Sequence, residues 1–410
     1  MIKKEKWQEK IKAYALKNAV EHEGKAQVDK VISSLFHEGL KKEEVAIIIN
    51  DVKEQVKKIN SLSIEQQKKE FSELEKKIGK RKQRVGLPEL PNAKKGKVIM
   101  RFAPSASGPL HIGNALSALP SSLYVRKYKG KFYVRIEDTN PENVYPEAYK
   151  MIKEDCLWLF DKPIFIIQSD RMKFYYKYAE KLIKLGKAYV CTCKQKEMQK
   201  LRKRGIECSC RQFSIPEQIK RWKKMLDKKG YKEGQAILRF KGNMLDKNPA
   251  LRDFPLARIN LKKHPRVKNK YRVWPLMNLS VAVDDLLFKM THIIRGKDHR
   301  DNAIRQEMIY KALGVEKIPW TAFLGRIHFS DMELSKTKIK QDIKQGKYSG
   351  WDDKRLPTII SLKKWGYKKE ALEKIAIERG LSEVDKIMSK KDFYELLDRF
   401  NRETRAVLHQ

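Results

Sequence analysis

Apolar residues recur at three- and four-residue spacing early in the chain, at Val28, Val31, Ile32 and Leu35, and again at Val45, Ile48, Ile49, Val52 and Val56. That period puts them on one stripe of a helix. No proline falls in residues 1–75 and short polar turns separate the stripes, so the pattern predicts a helical domain over 1–75. The run Lys76-Lys77-Ile78-Gly79-Lys80-Arg81-Lys82-Gln83-Arg84, followed by Pro88 and Pro91, opposes close packing. It reads as a basic linker over 76–96.

From Lys97 the period changes. Lys97-Val98-Ile99-Met100-Arg101-Phe102-Ala103 is a short apolar run that breaks into a Pro/Ser/Gly loop and turns helical near Ile112. A strand over 131–136, a helix over 146–159, a strand over 164–168 and a helix over 171–185 follow. This alternation predicts an α/β fold with a Rossmann-like parallel sheet, whose ligands bind at the C-terminal strand ends. The predicted divisions are the first half of a catalytic domain over 97–187, an insertion over 188–253, the second half over 254–320, and a helical region over 321–410 after Trp320.

Charge sharpens the picture. Lys and Arg number 91 against 51 Asp and Glu, a formal charge of +40 over 410 residues. An excess spread along the chain favours a polyanionic partner, nucleic acid ahead of a membrane surface, without separating DNA from RNA. No stretch reaches the roughly 18 apolar residues of a membrane helix, and the opening Met-Ile-Lys-Lys-Glu-Lys lacks a signal peptide's apolar segment. The expected location is cytoplasmic. There, Cys191-Thr192-Cys193 and Cys208-Ser209-Cys210 offer four thiolates for a closed tetrahedral Zn²⁺ site, the alternative being four reduced thiols. Cys156 lies on an apolar helix face and is expected in the core.

The richest chemistry is in Arg101-Phe102-Ala103-Pro104-Ser105-Ala106-Ser107-Gly108-Pro109-Leu110-His111-Ile112-Gly113-Asn114. A strand end, a Gly/Pro loop and a His at the mouth of a helix set an imidazole and free backbone N–H groups where a phosphate can sit. Gly113 allows an adenine ring to approach the backbone. Taken alone, a His-x-Gly would be no more than a helix cap.

This segment resembles the HIGH signature of class I aminoacyl-tRNA synthetases, and its flanks are similar to the glutamyl/glutaminyl branch. Arg135-Ile136-Glu137-Asp138-Thr139, Gln168-Ser169-Asp170-Arg171, Val283-Asp284-Asp285, Leu334-Ser335-Lys336 and Gly350-Trp351-Asp352-Asp353 extend the resemblance in the same order. Leu16-Lys17-Asn18-Ala19 and Asn60-Ser61-Leu62-Ser63 resemble the helical extension of archaeal glutamyl enzymes. The resemblance implies attachment of L-glutamate to tRNA(Glu) with ATP and Mg²⁺, through a glutamyl-adenylate. It implies that His111, Gly113, Asn114 and Lys336 hold the nucleotide, and that Lys336 and Lys338 follow charge on the leaving pyrophosphate. By the same resemblance Arg101 and Arg295 face the carboxylates of glutamate, Glu137 and Ser105 hold its amino end, and residue 277 touches the substrate. It makes 188–253 an acceptor-binding insertion often holding zinc, and 321–410 a signature loop with a helical stem-contact domain.

Arg295 favours glutamate, because related glutaminyl enzymes carry a small uncharged residue there. The chain also departs from the pattern. Trp274-Pro275-Leu276-Met277 has Met277 in place of the usual Tyr, and Asn114, Ala106, Asn140 and Asn143 differ from common choices. Met277 leaves open a catalytically weakened RNA-binding paralogue, or a glutaminyl enzyme. The resemblance further implies C-terminal anticodon-reading β-barrels that 410 residues do not accommodate. The expectation is a truncated or split gene, with a separate chain supplying anticodon recognition, or a paralogue charging another acceptor. A second basic run, Lys386-Ile387-Met388-Ser389-Lys390, reads as a solvated basic face among the C-terminal helices.

Overall fold

The computed structural model describes residues 5–78 and 86–408. Residues 79–85, within the expected basic linker, lie outside the described residues. Contacts divide the chain into two compact units, residues 1–84 and 85–410.

The first unit is built from α1 (Glu5–Glu21), α2 (Val28–His37), α3 (Val45–Asn60) and α4 (Ile64–Leu74). Val31, Leu35, Ile48, Val52 and Val56 from the apolar stripes are buried against Trp7, Ile11 and Leu16 of α1. Ser63 opens α4 with a reciprocal cap to Gln66, which satisfies two N–H groups the helix cannot pair itself. Asn60 bonds the Ala26 backbone in both directions, at 2.7 and 3.1 Å, and Asn18 accepts from Gln27 at 2.8 Å.

In the second unit β1 (Ile99–Phe102), α5 (Ile112–Lys127), β2 (Lys131–Ile136), α6 (Ala148–Leu159) and β3 (Ile164–Ile167) form a parallel sheet in the order β1-β2-β3 with its crossover helices. Then α7 (Met172–Lys184) leads into an antiparallel sheet of β4 (Ala188–Cys191), β5 (Ile237–Phe240), β6 (Phe254–Ile259) and β7 (Val273–Pro275). Two helices, α8 (Gln195–Arg204) and α9 (Ile215–Leu226), lie between its first two strands. This sheet runs on to Pro275, past residue 253 where the sequence pattern closed the insertion. Phe254, Leu256, Ala257 and Ile259 are apolar enough to pass for a strand of the central sheet, and periodicity does not tell which sheet a strand joins.

The chain returns through α10 (Met277–Leu287), β8 (His292–Gly296), α11 (Arg300–Ala312) and β9 (Trp320–Leu324), with β8 and β9 parallel. Thr291 N–H bonds Ile99 O at 3.0 Å, so the two parallel sheets adjoin along β1 and β8. From β1 the order runs outward to β2 and β3, and from β8 it runs to β9. The crevice at the C-terminal ends of β1 and β8 is therefore the switch point at which open α/β sheets bind ligands.

The last part holds β10 (Ile327–Phe329), α12 (Lys336–Lys344), α13 (Ile359–Lys364), α14 (Lys369–Arg379), β11 (Lys386–Met388) and α15 (Lys390–Leu408). It is not helical throughout, as the sequence pattern predicts, because β9, β10 and β11 fall after residue 319. Lys386–Met388, expected as a basic face among helices, pairs as a strand with β10. Three residues are too few to show a period of two. Ile359, Leu362, Leu372, Phe393 and Leu397 share one core with β1, β2 and α5, and α14 packs on α5. Among the described residues no helix is long and apolar enough to cross a membrane.

Candidate active site

At the end of β1 the chain crosses the top of the sheet as a loop and enters α5 at His111. The His111 Nδ1 accepts the Asn114 N–H at 3.3 Å, and the Asn114 side-chain oxygen accepts the His111 N–H at 3.2 Å. Burial, and then the Lys336 ammonium, push the His111 pKa down to about 3, so the ring is neutral. With Nδ1 accepting, the proton sits on Nε2. Among the described residues nothing accepts from that N–H, which stands at a helix N-terminus, where negative charge is favoured.

Lys336 opens α12 behind a Ser335 cap and turns inward, its ammonium donating to Gly108 O at 3.2 Å. Burial lowers its pKa to about 8, while Asp155 and then Cys156 act to raise it. Asp155, on α6, accepts the Leu110 N–H at 2.8 Å, and burial raises its pKa to about 7. Gly108 has φ near +150°, and a Cβ there would stand 3.3 Å from the Trp351 ring and 3.5 Å from Lys336 Cδ. At Gly113 a Cβ would stand 3.1 Å from the His111 ring and 3.5 Å from Leu334. Three motifs distant in sequence thus close on one loop, and glycine is what lets them approach. Lys338 turns outward instead and pairs with Glu333 at 2.9 Å.

On the other side of the crevice, Arg101 donates from Nε and Nη2 to the two oxygens of Asp285, each at 3.2 Å. Arg135, in β2, reaches the same carboxylate at 2.5 Å and Glu137 at 3.2 Å. Burial alone would raise Asp285; Arg101 and Arg135 outweigh it and hold the carboxyl down at about 2. Its neighbour Asp284 takes Arg171 at 2.6 Å and the Tyr175 hydroxyl at 2.7 Å. Arg295, near the end of β8, has Gln306 of α11 as its partner at 2.9 Å and no carboxylate within ion-pair distance among the described residues. Burial, and next the repulsion of Arg101, pull its pKa down to about 10. Arg101, Arg135 and Arg295 therefore face Asp285 and Glu137 with one positive charge in excess, an arrangement that favours an incoming carboxylate.

Ser105 and Glu137 are joined by a parallel bridge, with Ala106 N–H to Glu137 O at 3.1 Å and Glu137 N–H to Pro104 O at 2.9 Å. That bridge sets the Glu137 carboxylate beside the loop. Met277 is half-buried and opens α10, two turns before Asp285 on the same helix. Thus His111, Gly113, Asn114 and Lys336 are brought together, as are Arg101, Glu137 and Arg295, whereas Lys338 stands apart. Sequence reasoning missed Asp155 and Gln306. Each reads as an ordinary polar position in an amphipathic helix, and only packing turns it inward.

The Sγ atoms of Cys191, Cys193, Cys208 and Cys210 all lie within 4.8 Å of one another, with Cys191–Cys208 and Cys193–Cys210 each at 3.9 Å. Four thiolates about 2.3 Å from a tetrahedral Zn²⁺ stand roughly 3.8 Å apart, so this set fits the ion. Buried Gln218 ties the knuckle to the sheet, donating to Cys210 O at 2.6 Å and accepting from Val190 N–H at 2.8 Å.

Comparison with known proteins bears on these residues. The family model described as tRNA synthetases class I (E and Q), catalytic domain, matches residues 97–402. A glutamate–tRNA ligase of Pyrococcus abyssi is 46% identical over 389 residues, 92% of this chain and 67% of that protein. One from Methanocaldococcus jannaschii is 43% identical over 401 residues, 96% of this chain and 71% of that protein. Among solved structures, a glutamate tRNA ligase from Elizabethkingia meningosepticum in complex with its amino acid superposes with a TM-score of 0.53. It covers 76% of this chain and 70% of its own at 21% identity, a likeness of fold.

Proposed function

The chain belongs to the class I tRNA synthetases of the glutamate and glutamine branch, and from that premise we infer that it joins L-glutamate to tRNA(Glu) using ATP, through a glutamyl-adenylate. The carboxylate of glutamate attacks the α-phosphate of ATP and pyrophosphate leaves; a hydroxyl of the terminal ribose of tRNA then takes the acyl group and AMP leaves. This chemistry asks a protein for positioning and charge stabilisation rather than for a nucleophile. ATP enters with Mg²⁺. Substrates of this kind belong in the cytoplasm, where we assign the protein.

The neutral His111 donates from Nε2 to a phosphate oxygen, and Gly113 keeps the adenine approach open. Lys336 leaves its contact with Gly108 O for the negative charge growing on the pyrophosphate. Lys338 joins as a second cation once it releases Glu333. Ser105 and Glu137 take the ammonium of the amino acid. Cys191, Cys193, Cys208 and Cys210 hold a structural Zn²⁺, which organises the insertion and takes no part in the reaction.

One observation carries the choice of amino acid: Arg295 is largely buried, charged, and, among the described residues, without a carboxylate partner. Glutamate supplies that counter-charge. Glutamine would leave a buried guanidinium facing a neutral amide, an arrangement that costs several kcal/mol in comparable cases. ATP–pyrophosphate exchange with glutamate and with glutamine, run with tRNA(Glu) present, tests the reading. Glutamate should win in the wild type, and Arg295→Ala should lose roughly 10- to 100-fold in kcat/KM for glutamate with the KM for ATP little changed. Better exchange with glutamine by the wild type refutes the reading.

A further inference from the structure

Tyr310, on α11, is 3% exposed, and its hydroxyl is closed off from solvent with no hydrogen-bond partner among the described residues. Buried hydroxyls are nearly always paired, so this one needs an explanation. The charged groups acting on it are Asp285, Arg101, Arg295 and Arg135, the set that lines the amino-acid side of the crevice. Gln306 lies four residues earlier on α11, hence on the same face, and that face is turned to Arg295, which Gln306 holds at 2.9 Å.

Neither the Asp285 carboxylate nor the Gln306 oxygen accepts from it. Asp285 already takes both Arg101 and Arg135, and Gln306 spends its oxygen on Arg295. Among the described residues the phenol is thus a donor without an acceptor, and Arg295 a guanidinium without an ion-pair partner. A single group supplies both wants: a carboxylate. We propose that the Tyr310 hydroxyl donates to the side-chain carboxylate of bound glutamate, sharing that group with Arg295. This rests on the glutamate reading above and adds a substrate-binding residue to it. It also gives discrimination, because an O–H bond to a charged oxygen is stronger than one to a neutral amide oxygen. Arg295 excludes the uncharged competitor, and Tyr310 widens the margin.

The test uses the full chain carrying Tyr310→Phe, with aminoacylation of tRNA(Glu) followed while glutamate, ATP and tRNA are varied in turn. The KM for glutamate should rise about tenfold, the scale of one charge-assisted hydrogen bond. The KM values for ATP and tRNA should stay within about twofold, and the ratio of kcat/KM for glutamate over glutamine should fall. The thermal midpoint should equal or exceed the wild type, since the change removes an unpaired hydroxyl and keeps the packed ring. A glutamate KM within about twofold of wild type overturns the proposal. So does a lowered thermal midpoint or a failure to fold, either of which would give the hydroxyl a structural partner. A wild-type chain that charges no glutamate refutes the ligase reading and this inference together, whereas an unaffected Tyr310→Phe refutes the inference alone.

Discussion

Burial lowers Lys336 to about 8 and raises Asp155 to about 7, and the Asp155 charge is the largest influence keeping Lys336 protonated. A lysine with a depressed pKa loses its ammonium as pH rises through the depressed value, here about 8 rather than the ordinary 10.5. The step that uses Lys336 should therefore weaken as pH rises through about 8. Asp155→Asn keeps an oxygen for the Leu110 N–H but removes the charge, so the alkaline limb of pyrophosphate exchange should move to lower pH. In Lys336→Arg, whose guanidinium stays protonated, that limb should disappear. A limb unmoved in the first variant and unchanged in the second would show that another group titrates. Arg101, His111 and Lys336 were legible in sequence because each sits in a motif whose order along the chain repeats that of a family. Asp155 and Gln306 were not, since spacing shows which face of a helix is apolar but not which polar side chain that face encloses.

At the scale of elements, the strands legible in sequence are those of four to six mostly apolar residues between clear breaks, such as β1 and β2. β10 and β11, at three residues each, carry too little pattern to be seen. The insertion's end is not legible in sequence because β6 has the composition of a central strand while pairing with β5 and β7. What holds this insertion is a cysteine knuckle joining β4 to the turn at Ser209–Gln212, together with buried Asp253, which accepts from Gly242 N–H at 2.7 Å and the Tyr189 hydroxyl at 2.8 Å. Four thiols packed this closely have poor mutual hydrogen bonds, and a metal would replace them with strong bonds. Protein purified without added metal should contain about one Zn²⁺ per chain by elemental analysis. Removing it with a chelator should expose α8 and the Ser209–Gln212 turn to protease while β1 to β3 stay resistant. A metal-free chain with an equally resistant insertion would refute the zinc site.

For the whole molecule, a charge of +40 makes phosphate contact the main source of RNA affinity, and such affinity falls steeply with salt because each contact releases counterions. Most lysines on the surface contribute diffusely. Arg202, Arg252 and Arg305 differ, since they are gathered by backbone carbonyls rather than by acids: Arg202 Nε bonds Pro249 O at 2.9 Å, Arg305 Nε bonds Ala250 O at 2.7 Å, and Arg252 Nη1 bonds Arg202 O at 2.6 Å. Consecutive carbonyls bring Arg202 and Arg305 side by side. Burial, and then Arg305, Arg239 and Arg252, lower the Arg202 pKa, as expected where positive charges crowd, and Asp253 offsets them only in part. Arg305 is next in sequence to Gln306, the residue that holds Arg295, and we take this cluster as the candidate contact for the 3′ end of tRNA. Arg202→Ala and Arg305→Ala should each weaken tRNA binding and reduce the slope of log affinity against log salt by about one. With tRNA trimmed of its single-stranded 3′ end, neither substitution should matter. Titrations at several salt concentrations with intact and trimmed tRNA decide the matter: an equal loss for both forms would put these arginines on the duplex, and an unchanged slope would mean that they touch no phosphate.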